Sequence, residues 1–189
     1  MDYFKIFSLP SSRLTLDSEW LKKTYYELSR KCHPDFFQHA SPEERQRATE
    51  KSSLLNKAYD TLHDPFRRAE YALELEGMDV KKDPTPVAAD LLAEVFEIQE
   101  GLATYLGEQG GKGAAASELK ETLDRERKSL HERIYKLTGA LEKIFLQWDQ
   151  RGTRARDKKA LAEKMLPLLH EKKYIDSILR NIETGLRKK

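Results

Sequence analysis

The chain has a single cysteine, Cys32, among its 189 residues. That excludes a disulfide within the chain and a zinc site built from its own cysteine cluster, and it is compatible with a reducing compartment. Turn-forming residues are also scarce, with nine glycines and seven prolines. Together with abundant charge and a sizeable apolar fraction, this points to a soluble helical protein. No stretch approaches the roughly 18 apolar residues of a membrane-spanning helix. Net charge is only +2, so no global field argues for nucleic acid or a membrane surface. Strand-like alternation and internal repeats are both missing. The opening segment, MDYFKIFSLP, lacks a long apolar run and a small-residue cleavage pattern, so a cytoplasmic location is expected.

Helical signals, by contrast, are dense. Residues 2–9 form a short apolar segment stopped by Pro10 and the Ser11-Ser12 turn. Asp17 is the expected N-cap of a helix whose inward stripe is Leu21, Tyr25, Leu28 and Cys32. Cys32, last in that stripe, is expected to be a small buried hydrophobe. Pro34 ends this helix, because it disfavours helical backbone at His33 and lacks an amide donor. Ser41-Pro42-Glu43-Glu44 starts the next, with a serine cap, proline at the first position and glutamate three residues after the cap. That helix runs to about Leu62, with Ala48, Leu55, Ala58, Tyr59 and Leu62 inward. Asp64-Pro65 starts a fourth, which carries Phe66, Ala69, Tyr71, Ala72, Leu73 and Leu75 and which Gly77 closes.

Residues 77–86, GMDVKKDPTP, read as a linker. Three long amphipathic stretches follow. Their seams are Leu91, Val95, Ile98, Leu102 and Tyr105; then Leu119, Leu123, Leu130, Ile134, Leu137, Leu141, Ile144 and Trp148; then Leu161, Met165, Leu168, Ile175, Leu179, Ile182 and Leu186. Residues 107–117 read as a turn, and 151–153 interrupt the second and third stretches. Pro167 is expected to kink or break the last helix. Long helices with short connections pack as an antiparallel bundle.

The run Cys32-His33-Pro34-Asp35 invites a chemical reading. Catalysis fits poorly, since a nucleophile and its base normally meet through folding rather than as neighbours in sequence. A metal site fits no better: His39 is nearby, but no second cluster completes a shell. His63, His131 and His170 each stand alone. A plain interhelical turn explains Pro34 and Asp35 but does not demand His33. Upstream, Lys22, Tyr26 and Arg30 share one helical face, with Lys23 and Lys31 beside it. On its own such a face is merely solvated.

An amphipathic basic helix, then His33-Pro34-Asp35, then an antiparallel helix resembles a J domain. The segments MDYFKIFSLP, HPDFF, LNKAYDTLHDPFRRAEYALELEG (55–77) and DLLAEVFEIQEGL (90–102) resemble the HscB family, co-chaperones of iron–sulfur cluster assembly. The resemblance implies an all-α fold: a J domain over 1–76, a linker over 77–86 and a three-helix client-binding domain over 87–189. It implies no enzyme activity and no cofactor. The implied partners are a DnaK/HscA-type ATP-driven chaperone and an IscU-type iron–sulfur scaffold protein. His33, Pro34, Asp35, Lys22, Arg30 and Lys31 would meet the chaperone. Leu92, Phe96, Glu97, Glu100 and Tyr174 would meet the scaffold. Phe36 departs from the family pattern, standing where lysine is usual after the aspartate. Ala93, Gln99 and Gly101 depart from the usual methionine, arginine and glutamate.

The residues themselves leave other readings open. Leu92 and Phe96 lie beside the first seam, and Tyr174 and Ile178 beside the third. They form either an exposed partner surface or a broader core. A J protein with an unrelated client is a second possibility. A helical nucleic-acid binder is a third, resting on Arg151, Arg154, Arg156, Lys158 and Lys159 and the Arg187-Lys188-Lys189 end. That basic turn lacks interleaved aromatics.

Overall fold

A computed structural model describes residues 2–37, 40–78, 80, 89–107, 114–150 and 155–187. These fold into seven α-helices with no strand among the described residues. They are α1 (Tyr3–Ile6), α2 (Ser18–Cys32), α3 (Pro42–His63), α4 (Pro65–Leu75), α5 (Ala89–Gly107), α6 (Ala114–Trp148) and α7 (Ala155–Arg187), with a 3-10 turn at Pro34–Phe37.

The helix ends follow local chemistry. The Asp17 carboxylate accepts from the amides of Glu19 and Trp20. Ser41 and Glu44 form the reciprocal capping box, each side chain taking the other's backbone N–H,. Ser41's backbone and hydroxyl bonds hold the Glu44 carboxyl below its ordinary value. Asp64 caps α4 through the amides of Phe66 and Arg67, with Pro65 next in the chain. At the far end of α4, Gly77 takes φ +79°. Its amide donates to Glu74 O, and that of Met78 donates to Leu73 O. This is the Schellman pattern, which needs a residue free of Cβ strain at that point.

The chain divides into two compact units that do not follow chain order. One comprises residues 1–82 together with 141–162; the other comprises 83–140 and 163–189.

In the first unit, α2 and α3 pack as a hairpin, with α1 and α4 against α3. Phe4, Phe7, Leu14, Leu21, Leu55, Ala58, Leu62, Ala69, Ala72 and Leu73 are buried. Burying each large apolar side chain contributes about 1.5–3 kcal/mol. Tyr25 stacks on Tyr59 with centroids 4.2 Å apart, and its hydroxyl lies 3.0 Å from Asn56 Oδ1. Residues 141–162 join this unit through specific bonds. The Trp148 indole N–H donates to Ser12 O at 2.9 Å. The Asp149 carboxylate accepts from the amides of Leu14 at 3.0 Å and Thr15 at 2.6 Å. Lys158 pairs with Glu76 at 2.6 Å. Arg68 is buried, donates to Leu62 O at 2.9 Å and lies over the Phe145 ring. Burial pushes its pKa down to about 10, against the opposing pull of Asp64, Glu142 and Asp149.

In the second unit, Leu91, Val95 and Ile98 of α5, Leu123, Leu130 and Leu137 of α6, and Met165, Leu169, Ile175 and Ile182 of α7 are buried. Arg133 of α6 pairs with Glu171 of α7 at 2.5 Å. Gly185 of α7 lies so close to Leu102 of α5 that a Cβ there would stand 2.3 Å from Leu102 Cδ1.

Several sequence-based expectations need correction. Helix α7 runs through Pro167 without ending. Proline removes one backbone bond, and the buried residues on both sides hold the segment helical,. Phe145, not Ile144, is the buried member of its pair, and Leu169 rather than Leu168. Ile134, Leu102 and Leu186 are only half-buried. Leu75 is 43 % exposed, because it sits in the last turn of α4 beyond its neighbours' cover. Cys32 is half-buried rather than fully buried, because α2 ends there. The expected turn at 107–117 is shorter, since α5 reaches Gly107 and α6 begins at Ala114. His39, most of the 77–86 segment, residues 151–154 and the terminal Lys188-Lys189 lie outside the described residues.

Candidate functional site

The tip of the α2–α3 hairpin is made by one backbone change. Pro34 forces His33 out of the helix, to φ −65° and ψ 128°,. The chain then takes a single 3-10 turn, Pro34–Phe37, which packs on α3. The Phe36 amide donates to His33 O at 3.1 Å, and just beyond the turn the Ala40 amide donates to Phe37 O at 3.0 Å.

This turn presents two polar side chains to solvent. The Asp35 amide donates to His33 Nδ1 at 3.3 Å. That contact ties the imidazole to the backbone of the turn. The Asp35 carboxylate stands 3.5 Å from the same Nδ1, with side-chain exposures of 51 % for histidine and 73 % for aspartate. The histidine thus shapes the turn, and the carboxylate keeps lone pairs free for an incoming donor. Phe36 and Phe37 diverge: Phe36 is 75 % exposed and Phe37 half-buried.

The helix leading to this tip is basic on its open side. Lys22, Lys23, Arg30 and Lys31 are all exposed, with Tyr26 exposed among them. Glu19 and Glu27 break the positive surface without reversing it. The Cys32 thiol donates to Leu28 O at 3.3 Å. It lines a hollow of about 330 Å³ with Ile6, Leu28, Lys31, Lys51, Leu54 and Leu55. A thiol turned toward its own helix, half-covered by leucines, is poorly placed as a nucleophile.

A separate cluster lies on α5, in the second unit. Leu91, Val95 and Ile98 face inward, while Leu92 is 39 % exposed and Phe96 71 %. Glu97 and Glu100 are exposed beside them. Tyr174 on α7 is half-buried. Ile178, for which a partner surface and a broader core were both open, is buried. It belongs to the core, because the apolar stripe of α7 is wider than one seam. Sequence reasoning also missed Arg68, Leu146 and Tyr135. The last two are 60 % and 81 % exposed on α6, and nothing in the spacing marked them.

A helical hairpin whose tip exposes His33 and Asp35 at the end of a basic helix defines the chain's class: it carries a J domain. The DnaJ domain family model matches residues 2–72. The HscB co-chaperone homologue of Shewanella woodyi is 33 % identical over 135 residues, covering 71 % of this chain and 76 % of that protein. The Vibrio cholerae chaperone HscB structure aligns over 100 % of this chain and 99 % of its own, with TM-score 0.66 and 26 % identity. Human co-chaperone protein HscB aligns over 100 % of this chain and 82 % of its own, with TM-score 0.68 and 26 % identity. The chain belongs to the HscB co-chaperone family. Its role is that of a J-domain co-chaperone in iron–sulfur cluster assembly, alongside an Hsp70-type chaperone.

Proposed function

We propose that the chain stimulates the ATPase of a DnaK/HscA-type chaperone through the α2–α3 tip and delivers an IscU-type scaffold protein to it. The observation that carries this reading is the exposed Asp35 carboxylate beside the exposed His33 imidazole, in a fixed turn at the end of a basic helix. Lys22, Arg30 and Lys31 supply charge that orients an acidic partner and speeds encounter more than it adds affinity. Asp35 then accepts a charge-assisted bond from a partner cation. His33 and Pro34 set the backbone that aims it. The chain contributes no bond-making chemistry. It binds one state of the ATPase better than the other and so shifts that equilibrium.

The scaffold is assigned to the α5 surface, with Leu92 and Phe96 as apolar contacts, Glu97 and Glu100 as the charged rim, and Tyr174 on α7. Exposed leucine and phenylalanine one helical turn apart, bordered by carboxylates, suit a protein partner,. Residues 1–76 then act as the docking module, 77–86 as the linker and 87–189 as the client module. Joining both modules in one chain raises the effective concentration of scaffold at the chaperone. The described residues hold no helix long and apolar enough to cross a membrane, in keeping with work in the cytoplasm.

Steady-state ATPase assays of the chaperone test the first site. Asp35→Asn or His33→Gln abolishes stimulation while helicity and scaffold binding persist; full stimulation by either variant removes the assignment. Titration calorimetry with the scaffold tests the second. Leu92→Ala with Phe96→Ala weakens binding without changing J-domain stimulation in the scaffold's absence, and unaltered affinity refutes that surface.

A further inference from the structure

We propose that Phe36 is an apolar docking contact for the same chaperone whose contribution persists when salt screens the charged part of the surface. The inference rests on the tip reading above and extends it to a side chain of the opposite chemistry. Single exposed apolar residues are common and carry no message by themselves. Phe36 differs in how it is held. Its backbone amide is fixed to His33 O within the 3-10 turn. Its ring stands edge-on to the His33 imidazole, with centroids 6.3 Å apart and planes at 78°. Three-quarters of the residue faces water even so.

The neighbouring Phe37 is half-buried, so the two adjacent rings are differently exposed. Phe36 directly follows Asp35 on a one-turn element. A partner group that reaches the Asp35 carboxylate therefore comes within contact range of the ring. This continuity with the charged tip selects the occupant. The ordering of the ring by His33 also lowers the entropy lost when it is covered.

The physical consequence is a division of labour. Attraction between the lysine- and arginine-bearing helix and an acidic partner weakens as salt rises. Apolar burial does not weaken in that way, so Phe36 sustains docking where the charges are screened.

The test is chaperone ATPase stimulation titrated with the full-length chain, at low salt and at about 0.3 M salt. Phe36→Ala is expected to raise the half-maximal concentration about tenfold, the change that follows when most of a phenyl ring's burial is lost. The plateau stays the same, the loss is as large at high salt as at low, and Phe36→Leu recovers most of it. Because the side chain is exposed, thermal melting of both variants matches the parent chain. If Phe36→Ala titrates like the parent while Asp35→Asn is inactive, the inference falls and the tip assignment survives. If Asp35→Asn also stimulates fully, the tip assignment itself falls. If Phe36→Ala instead changes only self-association in sedimentation, the ring belongs to a contact between copies and the inference is overturned.

Discussion

Asp149 offers a direct measure of how firmly residues 141–162 are bound into the first unit. Its carboxylate accepts from two consecutive amides, Leu14 at 3.0 Å and Thr15 at 2.6 Å. Thr15 is exposed, so water replaces that bond when the carboxylate is removed. Leu14 is fully buried, and its amide is left poorly served. A bond to a charged acceptor contributes about 1.5–3 kcal/mol net. Asp149→Ala is therefore expected to cost about 2 kcal/mol, dominated by the Leu14 amide. For a chain of this length that lowers the melting temperature by about 4–8 °C. Asp149→Asn keeps one acceptor oxygen without the charge and costs about half as much. Urea unfolding at constant m-value measures the loss, and hydrogen exchange at the Leu14 and Thr15 amides localises it. A loss below about 0.5 kcal/mol, with both amides still protected, would refute the reasoning.

Glu44 predicts a pH dependence. Its pKa is lower in the fold than in the unfolded chain, so its contribution is present above the ordinary value of 4.5 and is lost as pH falls through the depressed one,. Exchange at the Ser41 amide accelerates over that acid range, and Glu44→Gln removes the dependence; an unchanged profile in that variant contradicts the assignment. Arg68 predicts a contrast between two replacements. Arg68→Met loses the bond to Leu62 O but also the cost of a buried cation, and stays within about 1 kcal/mol of the parent; Arg68→Ala leaves a cavity and loses about 3 kcal/mol. Equal losses in denaturant titrations would show that the charge, rather than the packing of its stem, holds the position.

What could be read in the sequence was what is decided locally. Asp17, Ser41-Pro42-Glu43-Glu44, Asp64-Pro65 and Gly77 each mark a helix end within a few residues, and each does so in the structure. The offset of Leu92 and Phe96 against Leu91, Val95 and Ile98 left an open surface and a broader core both possible, and the structure exposes both residues. The choice between Ile144 and Phe145, or the burial of Ile178, could not be read in this way. On a long helix with a wide apolar stripe, the neighbouring helices decide which side is covered. Arg68, Asp149 and the Trp148–Ser12 bond were hidden for a different reason. Each depends on a partner that only the tertiary fold brings close, and an arginine in a charged run looks like any solvated cation. Phe36 was visible only as a charge missing from the family pattern, since its exposure depends on which way the two adjacent rings diverge.

The bond from Trp148 to Ser12 joins residues 136 positions apart. A ribosome that has just released the first hairpin has therefore not yet supplied the indole that satisfies the Ser12 carbonyl. During synthesis the amino-terminal unit stays incompletely closed until residue 148 has emerged.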